Sequence, residues 1–179
     1  MLERDNSLLL IVDVQGKLAT LMQDRDTYLN NLKILIKSAG ILQLPILWAE
    51  QLPDKLGPTL PEIAEHLTGY QPTAKSSFSC FGNNELRQAL SAAGKNQILV
   101  TGIETHICVY QTALDLIQLN KEAHIVCDAV ASRVASNKEV GLQKMKDAGA
   151  QLTSTETCLF ELMKCADIPE FKQIARLLK

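Results

Sequence analysis

No cluster of lysines and arginines, no CxxC pair and no long N-terminal apolar run occurs in this 179-residue sequence, and each absence removes a class of function. Nucleic acid demands a basic footprint for its phosphates. Here the net charge is −2 and the sequence pI about 5.9, which disfavours that partner. The opening stretch MLERDNSLLLIVDVQ holds five unbroken apolar residues before Asp13, too few for a signal-peptide core or a membrane span. Five cysteines, at positions 80, 108, 127, 158 and 165, are odd in number and show no paired spacing. They read as reduced thiols of a cytoplasmic or other intracellular compartment. The motifs GxGxxG, GxxxxGK[ST] and GxSxG are also missing, so dinucleotide, P-loop and α/β-hydrolase readings lose their signatures. With no repeat, low-complexity segment or linker, residues 1–179 read as one domain, long enough to bury roughly 70% of the surface its unfolded chain exposes.

What is present is an alternation of strand and helix signals. SLLLIVD (7–13) is a continuous apolar run ending in an acid, the pattern of a strand buried on both faces. Residues 25–43 follow with helical spacing, Leu29, Leu32, Ile36 and Ala39 sharing a face. LPILWAE (44–50) is a second strand. The proline-rich QLPDKLGPTLPEI is a long connection with at most a short helix near 60–67. A third short strand lies within YQPTAKSSFSC (70–80), and Asn83 or Asn84 caps a helix that runs to Ala93 and stops at Gly94. Strands at 97–101, 123–130 and 150–153 alternate with helices at 106–119 and 137–148, and one or two helices close the chain. Such alternation predicts right-handed βαβ units, hence a three-layer α/β/α fold around a mostly parallel sheet.

In sheets of this kind ligands bind beyond the carboxyl ends of the strands, where the strand order reverses. That rule singles out Asp13, Lys75 and Cys108. Each has a bland reading. Asp13 can accept hydrogen bonds from loop N–H groups; Lys75 can be a solvated loop lysine; Cys108 can be a small packed side chain, as Cys127 is inside its strand. Asp13 does not fit the aspartate-nucleophile phosphatases, because Gln15 stands where a second carboxylate belongs, nor receiver domains, because Val12 precedes it. For Cys108 position matters. With Thr105 as N-cap the cysteine falls at N3, where free N–H groups and the helix dipole favour a thiolate. The histidines at 66, 106 and 124 make no ligand set, and His106, two residues from Cys108 on a helix, faces away from it.

In order along the chain, LLLIVDVQ with Asp13, AKSSFSCF with Lys75 and VTGIETHICV with Cys108 resemble the isochorismatase-like cysteine hydrolase superfamily. WAEQLPDKLGPTLPEI and the SR of CDAVASRVASN extend the likeness to its small isochorismatase domain-containing branch. The resemblance implies a six-stranded parallel sheet and a triad of Asp13, Lys75 and Cys108. In it Asp13 takes the thiol proton and later delivers it to a leaving amine, while Lys75 favours the charged forms and holds the geometry. It also implies a cis peptide between Ile103 and Glu104, with the backbone N–H groups of Glu104 and Cys108 serving a developing oxyanion. Nicotinamidases of the superfamily bind metal with Asp and His after the second strand. AEQLPDKLGP has no histidine, so no zinc and no other cofactor is expected. Isochorismatases of aryl-acid biosynthesis lack the cysteine, so Cys108 argues against vinyl-ether hydrolysis.

The resulting expectation is a metal-independent hydrolase of a small amide-like C–N bond, working through an acyl-enzyme. Gln15, Trp48 and Phe78, with Glu104, line its pocket, and it forms a homo-oligomer to which the C-terminal FKQIARLL contributes. The rival reading is a binding or scaffold protein, or a sensor whose exposed, low-pKa Cys108 thiolate reacts with oxidants.

Overall fold

The computed structural model describes residues 1–179. Six strands form one all-parallel sheet: β1 (Ser7–Val12), β2 (Ile46–Gln51), β3 (Thr73–Lys75), β4 (Gln97–Ile103), β5 (Glu122–Ala131) and β6 (Gln151–Thr153), in the order β3-β2-β1-β4-β5-β6. The order reverses between β1 and β4. A parallel sheet needs cover on both faces, and β1 shows how the sequence meets that need. Leu9 and Ile11 enter one core, Leu8, Leu10 and Val12 the other, because successive side chains point to opposite faces.

The first core is closed by α2 (Arg25–Leu42), α8 (Thr155–Met163) and α9 (Phe171–Leu177). On the other face lie α5 (Asn84–Ala93), α6 (Tyr110–Gln118) and α7 (Ala135–Asp147). Asn83 caps α5 by accepting from the Leu86 N–H at 3.1 Å. Helix α9 turns its apolar side inward, with Ile174 fully buried and Phe171 and Leu177 against the same core. Its apolar face is therefore consumed within the chain rather than offered to another copy.

Three short helices lie over the carboxyl end of the sheet: α1 (Gly16–Thr20), α3 (Pro53–Leu56) and α4 (Pro61–Ala64). The sequence pattern gives no sign of α1. It treats 51–63 as a connection with one short helix, yet each of its two helices starts on a proline, which needs no hydrogen-bonded N–H there. Gly16 joins α1 to α3 closely. Its φ is +47°, and a Cβ added there would lie 2.1 Å from the Leu56 carbonyl oxygen. The predicted helix at 106–119 also differs: a π turn, Thr105–Val109, precedes α6.

Candidate active site

Beyond β1 and β4, at the reversal of strand order, three chain segments converge. Asp13 is the first residue past β1 and adopts a left-handed φ of 53°. β4 can run against β1 here because position 102 lacks a side chain: Gly102 has φ +104°, and an added Cβ would meet the Val12 carbonyl oxygen at 2.0 Å. The Ile103–Glu104 peptide that follows is cis. The π turn then carries Cys108 back over Asp13.

Lys75, the last residue of β3, reaches across β2 into this space. Its Nζ donates to Asp13 Oδ2 at 2.6 Å, Gln51 Oε1 at 2.7 Å, and the carbonyls of Phe78 and Ser77 at 3.0 and 3.2 Å. Four acceptors thus surround three N–H donors, and the side chain has no freedom left. Asp13 and Lys75 are both buried. Asp13 Oδ1, by contrast, makes no conventional hydrogen bond, and the Cys108 thiol is its neighbour.

These surroundings set the resting charges. Burial pushes the Cys108 thiol well above its ordinary range, the Asp13 carboxylate pushes it further, and Lys75 pulls it back only in part. Burial also raises the pKa of Asp13, against the lowering effect of Lys75. These shifts favour the protonated thiol and make Asp13 a stronger base than an ordinary carboxylate. This corrects the expectation of an exposed, low-pKa thiolate. Its physical reason is local: Thr105 does not cap a helix, its buried Oγ1 has no hydrogen-bond partner, and Cys108 lies buried inside a π turn rather than at N3 of an α-helix. His106 turns away from the thiol, its Nδ1 lying 3.0 Å from Ser132 Oγ.

An open pocket of about 120 Å³ leads to Cys108 and Asp13. Leu18, Leu56, Phe78, Ile103 and Ile107 form its apolar walls, with Gln51 and Glu104 beside Asp13 and Cys108. Phe78 is where the sequence reading put it; Gln15 and Trp48 are not. Gln15 is an internal tie, accepting from the Gln51 N–H at 2.6 Å and donating to the carbonyls of Gly57 at 2.7 Å and Gln51 at 3.1 Å. Trp48 packs in the core on the α2 side and donates its Nε1–H to Thr59 Oγ1 at 2.8 Å. Both are polar or aromatic residues near strand ends, and the buried polar bonds that hold the α3 and α4 connection claim them.

Glu104 is buried although its partner is exposed. Its carboxylate accepts three N–H groups of Arg133, one from the backbone and two from the guanidinium, each at 3.1 Å. Its carbonyl accepts from the N–H groups of Ile107 and Val109, while its own N–H makes no hydrogen bond within the protein. No group of three or more His, Cys, Asp or Glu side chains is placed to hold a metal ion.

Residues missed by sequence reasoning are Gln51, Leu18, Leu56, Ile107 and Arg133. Gln51 was findable, since it ends β2 and so obeys the strand-end rule that selected Asp13 and Lys75.

Residues 7–157 match the Isochorismatase domain family. Isochorismatase domain-containing protein 2 of Danio rerio is 34% identical over 177 residues, covering 99% of this chain and 89% of that protein. The structure of MAR1 ribonuclease from Caenorhabditis elegans superposes with a TM-score of 0.93 at 32% identity, covering 99% of this chain and 91% of that one. YcaC from Pseudomonas aeruginosa, solved with hexane-2,5-diol and covalent acrylamide, gives a TM-score of 0.92 at 26% identity, with coverages of 98% and 90%.

Proposed function

The chain belongs to the isochorismatase domain family, and from that premise we propose that it is a metal-independent cysteine hydrolase of small amide-like C–N bonds. One observation carries the reading. A buried carboxylate, fixed on one oxygen by Lys75 at 2.6 Å, leaves its other oxygen without a conventional hydrogen bond beside Cys108, and the two residues line the same pocket.

The chemistry follows from those charges. Asp13 Oδ1 takes the thiol proton as Cys108 Sγ attacks the carbonyl carbon. The oxyanion is met by backbone N–H groups, that of Glu104 being without any other acceptor. The C–N bond breaks as Asp13 passes its proton to the leaving nitrogen. Water then attacks the thioester while Asp13 accepts its proton, the C–S bond breaks, and the proton returns to sulfur. Lys75 keeps the carboxylate in one position through both halves of the cycle.

One further point supports this reading over the rival one, and a second bears on what the pocket admits. A buried, protonated thiol suits a nucleophile activated only by a bound substrate, whereas oxidant sensing needs an exposed thiolate. A relative of the same shape was solved with covalent acrylamide, a small neutral amide. As a family member the chain is also proposed to form a homo-oligomer, which analytical ultracentrifugation will read directly.

The decisive experiment is time-resolved ammonia release over a panel of small amides and ureides, with wild type and Cys108→Ala in parallel. Turnover that disappears in the variant is the expected result. Indistinguishable behaviour of wild type and Cys108→Ala on every member of the panel overturns the catalytic claim. A single-stranded RNA belongs in the panel, because one solved relative is called a ribonuclease; Cys108-dependent RNA cleavage would replace the amide reading.

A further inference from the structure

We propose that the pocket selects short, uncharged acyl groups, and that Glu104 sets this preference by holding the charge of Arg133 away from the substrate. The inference rests on the reading of Cys108 as the reacting group and adds the class of substrate that reaches it.

Size comes first. At about 120 Å³ the pocket lies well below the roughly 300–1,000 Å³ of sites that take drug-sized ligands, so it suits a small acyl chain. Its walls are aliphatic apart from Phe78, so most of the chain's contact is apolar.

Charge decides the rest. Every polar side chain on the pocket is already committed elsewhere, apart from Asp13 Oδ1 and the thiol. The Gln51 amide donates to the Ser76 carbonyl at 2.8 Å and accepts from Lys75. Lys75 spends its donors on Asp13, Gln51 and two carbonyls. The Glu104 carboxylate is filled by three N–H groups of Arg133. No cation is among the residues that line the pocket, and the two charged ones, Asp13 and Glu104, are both acids. A carboxylate on the acyl chain would lose its water, gain no partner and face like charge. An ammonium would lose its water beside carboxylates whose charge Lys75 and Arg133 already balance. A neutral chain meets neither penalty.

Arg133 is a cation bonded directly to a carboxylate of the pocket wall and, unlike Lys75, is not itself buried. It stands one side chain behind the pocket wall with its guanidinium half exposed. Freed from Glu104, that planar fork is a ready receptor for a carboxylate. Glu104 thus excludes anionic substrates in two ways, by its own charge and by occupying the guanidinium.

Alkylation of Cys108 tests this without depending on turnover. Iodoacetamide and iodoacetate differ in charge, and with each the Sγ–C bond forms as the C–I bond breaks, iodide leaving and the thiol proton passing to Asp13. Rates are read cysteine by cysteine by peptide mass spectrometry, with exposed Cys165 of the same chain as the reference. The iodoacetamide-to-iodoacetate rate ratio at Cys108 is expected to exceed that at Cys165 by at least about 30-fold. Glu104→Gln, which leaves an uncompensated guanidinium, is expected to shrink the excess by about tenfold, and Arg133→Gln to enlarge it. Equal ratios at the two cysteines overturn the proposal, as does an excess that neither variant moves. Should Glu104→Gln fail to fold, the half-exposed Arg133→Gln still gives the answer. Charge selectivity with no amide turned over would support this pocket reading while removing the hydrolase reading, so the two fail separately.

Discussion

Two acid–base pairs stand within one pocket wall of each other, and they are built on opposite plans. Asp13 and Lys75 are both buried, and the acid keeps an oxygen unsatisfied. Glu104 is buried, its arginine is half exposed, and the carboxylate is saturated by three donors. Folding alone favours the second plan, because a buried carboxylate with a lone oxygen carries a desolvation penalty that another donor would remove. The first plan makes sense where a proton has to arrive. The contrast teaches that a saturated pair organises structure, whereas an unsaturated one in a pocket is a place for chemistry.

The comparison is easiest to break at Asp13. Asp13→Asn keeps the shape and the bond from Lys75 but cannot take a proton, so kcat/KM is expected to fall by about 100- to 10,000-fold. Steady-state kinetics at saturating and limiting substrate will show whether the loss lies in kcat. Lys75→Met comes next. It strands a buried carboxylate, and equilibrium denaturation is expected to show about 3–5 kcal/mol of lost stability.

A finer test uses pH. Burial raises the Asp13 pKa, and the proposed mechanism uses its carboxylate form. Activity should therefore rise with pH through a limb above the ordinary carboxyl value of about 3.9, and that limb should vanish in Asp13→Asn. The smallest effect belongs to the other pair. Arg133→Gln takes two of three donors from the buried Glu104 carboxylate but leaves the backbone N–H of residue 133, so its cost in melting experiments should be about 1–3 kcal/mol, below that of Lys75→Met. A loss as large as that of Lys75→Met would erase the distinction between the pairs.

Much of this was legible along the chain. The order of strands and helices follows from apolar periodicity, and the strand-end rule drew attention to Asp13, Lys75 and Cys108, which the ordered family motifs then joined. Cys108 was legible in place but not in state. A threonine three residues before it looks like an N-cap, and nothing local reveals a π turn, whose extra residue is accommodated by packing against β4 and α7. The resting charge of the thiol was hidden for the same reason, since it depends on burial by segments distant in sequence. Gln15 and Trp48 misled because polar and aromatic residues near a binding edge serve structure as readily as substrate. The tie between Glu104 and Arg133 spans 29 residues and has no periodic signature. Sequence patterns read neighbours along the chain, and this site is made of neighbours across it.

Gly16 carries a consequence for the bore of the pocket. Leu18 and Leu56 stand on the two segments that touch at this glycine, where a methyl group would fall 2.1 Å from the Leu56 carbonyl oxygen. Any side chain at position 16 must part those segments, and the two leucines part with them. The volume open to an acyl chain is thus gauged by one missing carbon atom that touches no substrate. A protein of this design can change the length of what it accepts at a single position outside its reacting groups.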